Sequence, residues 1–237
     1  MILMDVHTHS VASGHGTSNT IADMAKAASL KGLKALGVTD HGPATLCAGT
    51  VSYFRSLKLA PKERFGIRIF YGIELDILDN AGKVDLDSLT LSGLDYAIAS
   101  MHFKVKKPGS KEENTQSYIA AMKNPYVKII GHCDDSKYLV DYEALVQAAS
   151  EYHVLMEINN ASLAPDGYRG NTVENDLELL KYGKIYKLPI VLSSDSHGAK
   201  HVGDVAYAEQ LTHQVDYPEY LILNNYMDTF MQYTGVF

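Results

Sequence analysis

An α/β fold, with parallel strands closed or nearly closed into a barrel by helices, is what this 237-residue chain predicts. Three observations predict it. Short β-rich apolar runs alternate with amphipathic runs, giving about seven strand–helix units of roughly 30 residues each with no linker between them. The length suits one such barrel better than two ordinary domains, so residues 1–237 read as a single domain. Imidazoles and carboxylates return at the end of one strand after another, and in a barrel of parallel strands those ends share the rim where sites are built.

Taken in order, Met1–Val6 is a short apolar strand. Ile21–Leu30 carries Ile21, Met24, Ala25, Ala28 and Leu30 at helical spacing and is ended by Gly32. Residues 34–39 (KALGVT) form the next strand, and Val51–Leu59 a helix closed by Pro61. Ile67–Ile73 alternates and is β-rich, and residues 94–100 (LDYAIAS) form another strand before a Lys-rich loop at 104–111. Thr115–Met122 is a helix that stops before Pro125. Val127–Gly131 is a strand, and Tyr142–Glu151 a helix with Asp141 as N-cap. Val154–Ile158 is a strand, Val173–Tyr186 a helix and Ile190–Ser193 a strand. Helices over Tyr207–Leu211 and Tyr220–Tyr233 complete the set.

The composition, 46% hydrophobic and 21% charged, is that of a soluble globular protein. The N-terminal apolar run lacks a basic segment and is interrupted by Asp5 and His7, unlike a secretory signal. No apolar stretch approaches the roughly 18 residues of a membrane span. Two cysteines, Cys47 and Cys133, are too few for a disulfide framework and point to a reducing cytoplasm. A net charge of -7 disfavours extended nucleic acid as a partner. It leaves room for a small phosphorylated substrate, because bound cations would offset part of it. Nothing in the sequence sets an oligomeric state.

Seven of the ten histidines lie in the segments of interest: His7, His9, His15, His41, His102, His132 and His197. His7 and His9 are two apart and share a face of an extended strand. His41 follows KALGVTD, Glu74 follows IRIFYGI, His102 follows LDYAIASM, His132 follows VKIIG, and Asp195 and His197 follow IVLSS. A single His-x-His carries little weight; six strand ends in register carry a great deal. His153, His201 and His213 repeat no such pattern and read as ordinary residues. Imidazoles with carboxylates and no thiolate cluster suit Zn, Mn or Fe. Nine donors exceed what one four-coordinate ion uses, so two to three divalent transition-metal ions are expected, with Glu74, the only glutamate of the set, as the bridge. Asp5 and Asp40 precede ligand histidines and are expected to orient imidazole N–H groups.

The segments DVHTHS, VTDHG, YGIEL, SMHF, IGHCD, EINNAS and SSDSHG resemble the PHP (polymerase and histidinol phosphatase) superfamily of metal-dependent phosphoesterases, most closely its YcdX-like branch. The resemblance runs from His7 to His197. It implies a distorted seven-stranded (βα) TIM-like barrel with the metal site at the C-terminal rim. It also implies that His7, His9, Glu74 and Asp195 hold one ion, that Glu74, His102 and His132 hold a second, and that His15, His41 and His197 hold a third. The reaction implied is phosphoester hydrolysis. Relatives often carry a Pro-Gly or Pro-Asn turn after the fifth strand's histidine, where this chain has Cys133-Asp134-Asp135-Ser136. Cys133 is expected to be a small buried hydrophobe.

Such a centre would act on a small phosphomonoester through a metal-bridging hydroxide, with no covalent enzyme intermediate. The catalytic candidates are Glu74, Asp195 and Arg169, the last as a phosphate-facing cation supported by the resemblance. Asn159 and Asn160 are expected to contact phosphate or substrate, and Lys106, Lys107 and Lys111 to form an exposed charged loop. Ser194 and Ser196 lack the partners of an activated nucleophile. The alternatives are a phosphodiesterase or nuclease, disfavoured by the acidic charge, and a non-catalytic metal-binding module, disfavoured by the full donor set.

Overall fold

Strands and helices alternate as the sequence expects. The computed structural model of the chain describes residues 2–236; Met1, the first residue of the expected opening strand, lies outside them. In chain order the elements are β1 (Met4–Asp5), β2 (Thr8–His9), α1 (Ile21–Leu30), β3 (Ala35–Val38) and α2 (Val51–Leu57). A short β4 (Glu63–Arg64) precedes β5 (Ile67–Tyr71), β6 (Ile73–Asp76), α3 (Ser88–Leu91), β7 (Ala97–Ser100), α4 (Lys111–Met122) and β8 (Val127–Ile130). Then come α5 (Tyr142–Tyr152), β9 (Leu155–Asn159), α6 (Asn160–Leu163), α7 (Thr172–Tyr186), β10 (Ile190–Ser193), β11 (Ser196–His197), α8 (Ala206–Gln214) and α9 (Met227–Thr234).

Local chemistry sets the helix starts. Thr20 and Ser110 close capping boxes with Asp23 and Glu113, and Asp141 caps α5 as expected. The Ser110 box starts α4 four residues before the expected Thr115, which takes Lys111 out of the loop and into the first turn. Residues 220–233 are not one helix. Short 3-10 turns occupy Glu219–Leu221 and Leu223–Asn225, and only Met227–Thr234 is α-helical. The break has a physical cause: the buried Asn224 side chain bonds to strand backbone, as described below.

The strands pair in parallel, apart from the antiparallel β4–β5. The expected single ring is divided into three ladders: β1-β3-β5-β4, β10-β9-β8-β7-β6 and β11-β2. β5 and β6 are successive halves of one extended run interrupted at Gly72, the first half paired to β3 and the second to β7. Among the described residues no ladder joins β1 to β10. Side chains span that seam instead. Asn224 Nδ2 donates to Met4 O (2.9 Å) and Leu192 O (2.7 Å), and its Oδ1 accepts from Leu192 N (2.8 Å). Higher up, Asp5 accepts from Ser194 N (3.2 Å), Ser194 Oγ (2.5 Å) and Gly203 N (2.8 Å). At the top β2 and β11 pair directly, Thr8 with Ser196 and His9 with His197.

Two apolar clusters follow. The larger lies between strands and helices. The smaller lies between the ladders, where Met4, Phe70, Ile98, Ile129, Leu155 and Val191 meet Leu223, Phe230 and Val236 of the C-terminal segment. Phe230 packs 5.7 Å from the Phe70 ring and 5.8 Å from that of Tyr96. The C-terminal segment thus closes one end of the strands, and the polar site stands at the other.

Candidate metal centre

Glu74 is the centre of the site. It lies inside β6, one position further into regular strand than expected, and is fully buried. Its Oε2 lies 2.6 Å from His41 Nδ1, 3.5 Å from His7 Nε2 and 3.6 Å from His9 Nε2. Its Oε1 lies 2.8 Å from His132 Nε2 and 3.4 Å from His102 Nε2. Asp195 Oδ1 faces the same two rings from the other side, 3.1 Å from His9 Nε2 and 3.7 Å from His7 Nε2. The His197 ring stacks 4.2 Å from His9, and the His15 ring lies 4.9 Å from His41 and 5.0 Å from His197. All nine side chains expected at the site are therefore gathered in one place.

Local backbone explains part of this. His132 and Asp195 follow β8 and β10 in left-handed conformations, φ +26° and +50°. Such conformations are costly away from glycine and turn a strand-end side chain toward the rim. Gly16, at φ +79°, passes so close to His197 that a Cβ there would lie 2.7 Å from its ring.

Three groups of donors lie close enough together to share an ion: His7, His9 and Asp195; His41, Glu74 and His102; and His9, His41 and His197. The fit can be tested on the unpaired atoms. His7 Nε2, His9 Nε2, His41 Nδ1, Glu74 Oε2, Asp195 Oδ1 and His197 Nε2 are buried and, among the described residues, make no well-formed hydrogen bond; the first five face one another at 2.6–3.7 Å. A buried polar atom left unpaired costs about 1–3 kcal/mol, so six converging ones fit a site built for cations. Nitrogen and carboxylate oxygen donors without thiolate suit Zn, Mn or Fe.

The opposite ring nitrogens are held from outside. His7 Nδ1 meets Glu157 Oε1 at 2.7 Å, His102 Nδ1 meets Asp76 Oδ1 at 2.7 Å, and His9 Nδ1 meets Ser13 Oγ at 2.9 Å. His15 Nδ1 and His197 Nδ1 each lie 3.1 Å from a backbone oxygen, of Ser13 and Asp195. Asp5 and Asp40 do not orient imidazoles directly, contrary to expectation. Asp5 spans the β1–β10 seam. Asp40 accepts from Ser10 N and Oγ, Ser13 Oγ and Tyr53 OH, and so reaches His9 only through Ser13. Sequence reasoning missed Glu157 and Asp76; a glutamate inside the apolar run VLMEI was the available signal for the first.

Burial would raise both central carboxyls, but their neighbours hold them well below the usual range: His102, His41 and His7 around Glu74, and His7, His9 and Arg169 around Asp195. Burial lowers His9, with His41 and His197 adding to it, and lowers His132, with Arg169 adding to it. Burial also acts to lower His7 and His102, yet acids outweigh it. Glu157, Asp195 and Glu74 raise His7 well above its usual value, and Glu74 and Asp76 raise His102 to about 10.

Arg169 is buried against the site but is not a free cation. Its Nη2 donates to Asp195 Oδ2 (3.1 Å) and its Nη1 to Ser162 Oγ (2.9 Å) and Asn159 Oδ1 (3.5 Å). The two asparagines differ from expectation. Asn159 is buried with Nδ2 between Glu157 and Asp195, and Asn160 accepts from Tyr207 N and Ala208 N at the start of α8. Lys106 is also not an exposed loop residue. It is buried, because the chain turns tightly back on His102 O and Tyr138 OH donates to the Lys106 carbonyl. Lys107 Nζ sits 3.7 Å over the Phe103 ring. Cys133 is buried in the outer core. His201 pairs with Asp204, and His153 ends α5 in a left-handed conformation, both away from the site.

Known proteins resemble this chain in sequence and in fold. A family model described as PHP domain matches residues 5–164. A protein of Clostridium botulinum (strain Langeland) named probable phosphatase is 36% identical over 98% of this chain and 93% of its own length. One of Clostridium novyi with the same name is 39% identical over 94% and 90%. The solved histidinol phosphate phosphatase of Lactococcus lactis, complexed with zinc, L-histidinol and phosphate, superposes with a TM-score of 0.62 at 18% identity, covering 90% of this chain and 94% of that one. A dihydroorotase superposes with a TM-score of 0.52 at 14% identity over 98% and 69%. These two distant likenesses speak for the fold, and the sequence matches speak for the family: this chain belongs to the PHP domain family.

Proposed function

We propose that this chain is a metal-dependent phosphatase acting on a small phosphomonoester, with two to three divalent transition-metal ions at the centre built around Glu74. The observation that carries the reading is the set of six buried donor atoms that converge on one centre without well-formed hydrogen bonds. The relatives named probable phosphatase support phosphoric-ester hydrolysis, and the zinc and phosphate in the Lactococcus lactis enzyme support the metal and substrate class. We assign His7, His9, Glu74 and Asp195 to one ion, Glu74, His102 and His132 to a second, and His15, His41 and His197 to a third. The three ladders are read as one seven-stranded barrel, interrupted at the β1–β10 seam, in a single domain. The free cysteines fit a reducing cytoplasm, and no helix of the described residues is long and apolar enough to cross a membrane.

Bound there, such ions would lower the pKa of water from 15.7 toward about 7, making a nucleophile available near neutral pH, and would neutralise charge on the phosphoryl oxygens. The chain's own groups do the rest. Glu74 and Asp195, held ionised, present charge to two sides of the centre. Neutral His9 and His132 offer lone pairs at pH 7. Arg169 fixes Asp195, and we assign to it the phosphate-facing charge.

The test is metal analysis combined with a substrate panel. The protein purified without chelator should carry more than one equivalent of transition metal, and chelation should abolish hydrolysis of an aryl phosphate. Glu74→Ala and Asp195→Ala should lose metal and activity together. Trace metal with activity surviving chelation would overturn the reading. Monoesters should be cleaved well ahead of diesters and nucleic acid.

A further inference from the structure

The geometry points to Glu157 as the positioning residue that sets up two ions of the centre at once. It does so by fixing the tautomer of His7 and the backbone of His132. The inference rests on the metal-centre reading above and adds to it a residue outside the assigned ligands.

Glu157 lies in β9, a strand that supplies no assigned ligand, and is buried. Every contact of its carboxylate is with a donor. Oε1 lies 2.7 Å from His7 Nδ1, while Oε2 accepts from His132 N at 2.7 Å and from Asn159 Nδ2 at 3.1 Å. A carboxylate accepts only, so when His7 carries a single ring proton that proton belongs on Nδ1, which leaves Nε2 with its lone pair for an ion. That Nε2 is one of the unpaired buried atoms between Glu74 and Asp195. The second oxygen ties down the His132 amide where the backbone adopts φ +26°, a conformation that a histidine holds only when its surroundings impose it. His132 Nε2 then reaches Glu74 Oε1. His7 belongs to the first assigned ion and His132 to the second, so one buried carboxylate serves both.

Glutamine is nearly the same size but cannot serve both partners. With its oxygen toward His132 N–H, its NH2 faces His7 Nδ1 and forces the ring proton onto Nε2. With the oxygen toward His7, the NH2 opposes the His132 amide and Asn159 Nδ2. Either way one histidine is lost to its ion, an effect of the kind that removal of outer partners has on metal sites, roughly 10–100-fold in affinity.

The experiment is zinc titration of chelator-stripped wild type, Glu157→Gln and Glu157→Asp, with 15N NMR of the histidine rings and His7 assigned by difference from His7→Gln. Zinc-loaded wild type should show His7 protonated on Nδ1 and carrying no proton on Nε2. Glu157→Gln should bind zinc about 10–100-fold more weakly at one or more sites, with the His7 tautomer switched or the His132 amide signal shifted. Glu157→Asp keeps the charge but is one methylene too short to span both partners, and should lose affinity too. Unchanged affinity and tautomer in Glu157→Gln would overturn the assignment. If that variant does not fold, the spectrum of zinc-loaded wild type decides alone, since a His7 protonated on Nε2 in that state overturns it. Failure of wild type to bind zinc would instead sink the metal-centre reading.

Discussion

A buried guanidinium beside a buried carboxylate is informative when either is taken away. Arg169 spans Asp195, Ser162 and Asn159, and breaking a buried pair from one side costs about 3–5 kcal/mol because the remaining charge is left without compensation. Arg169→Met should therefore destabilise the metal-free protein by about 3 kcal/mol in urea unfolding with chelator present. Saturating zinc should recover part of that loss, since a cation at Asp195 replaces the missing charge. Equal losses with and without zinc would contradict the placement of an ion there. Protons report on the same site. His7 and His102 are raised by neighbouring acids, so an ion must displace protons at neutral pH, and affinity should fall as pH falls. Calorimetry in buffers of different ionisation enthalpy should read that release. Eight of the nine gathered side chains were legible in the sequence because each ends or follows an apolar run; His15, in a loop, was placed by the family resemblance alone. Their partners were not. Glu157 and Asp76 lie inside strands, and only the fold shows which imidazole each one meets.

At the scale of elements, the loop after β3 shows how the site's rim is held. Asp85 accepts from Ala44 N (2.9 Å) and Asp76 N (3.0 Å), and Thr45 Oγ1 donates to Asp76 Oδ2, the acid whose other oxygen meets His102. The approach is close enough that a Cβ on Gly42 would lie 2.2 Å from Asp85 Oδ2. Burial, with Asp76 adding to it, pushes Asp85 up to about 7, although the bond from Ala44 N pulls the other way. An unfolded aspartate titrates near 3.9, so between about pH 4 and 7 the folded state holds a proton the unfolded state has lost. The resulting stabilisation is full below pH 4 and is lost as pH rises through 7. Asp85→Asn removes this dependence. The difference in Tm, variant minus wild type, should grow from pH 5 to pH 8, and a difference that is flat or falling would show that Asp85 ionises freely. Element boundaries were legible where local chemistry decides, as at Thr20 and Asp141. Two expectations failed for different reasons: at α4 the local signal of the Ser110–Glu113 box lies upstream of the expected start, whereas Asn224 outvoted local pattern and broke the expected helix over 220–233, because its side chain is needed elsewhere.

For the whole molecule, that need is closure. Parallel strands with helical crossovers were legible from periodicity, but a missing ladder leaves no trace in hydrophobic pattern, so the β1–β10 seam was not. Without it, the strand that leads into His7 and His9 would part from the one that leads into Asp195 and His197. The seam is held at three heights: Asn224 near the closed end, Asp5 in the middle and the β2–β11 pair at the rim. Asn224→Leu matches the volume but strands Met4 O, Leu192 O and Leu192 N, buried backbone groups whose loss of partners costs about 1–3 kcal/mol each. A total of about 3 kcal/mol or more is expected, which for a chain of this size lowers Tm by about 6–12 °C. Asn225→Ala is the control, because among the described residues Asn225 Oδ1 accepts only the exposed Leu3 N, and its removal should stay within about 1 kcal/mol. Zinc stoichiometry should survive Asn224→Leu, since Asp5 and the rim pair still hold the upper seam, and it should fall in Asp5→Ala, which frees Ser194 next to Asp195. If the two seam variants lost metal equally, closure would act as a single unit rather than at three separable heights.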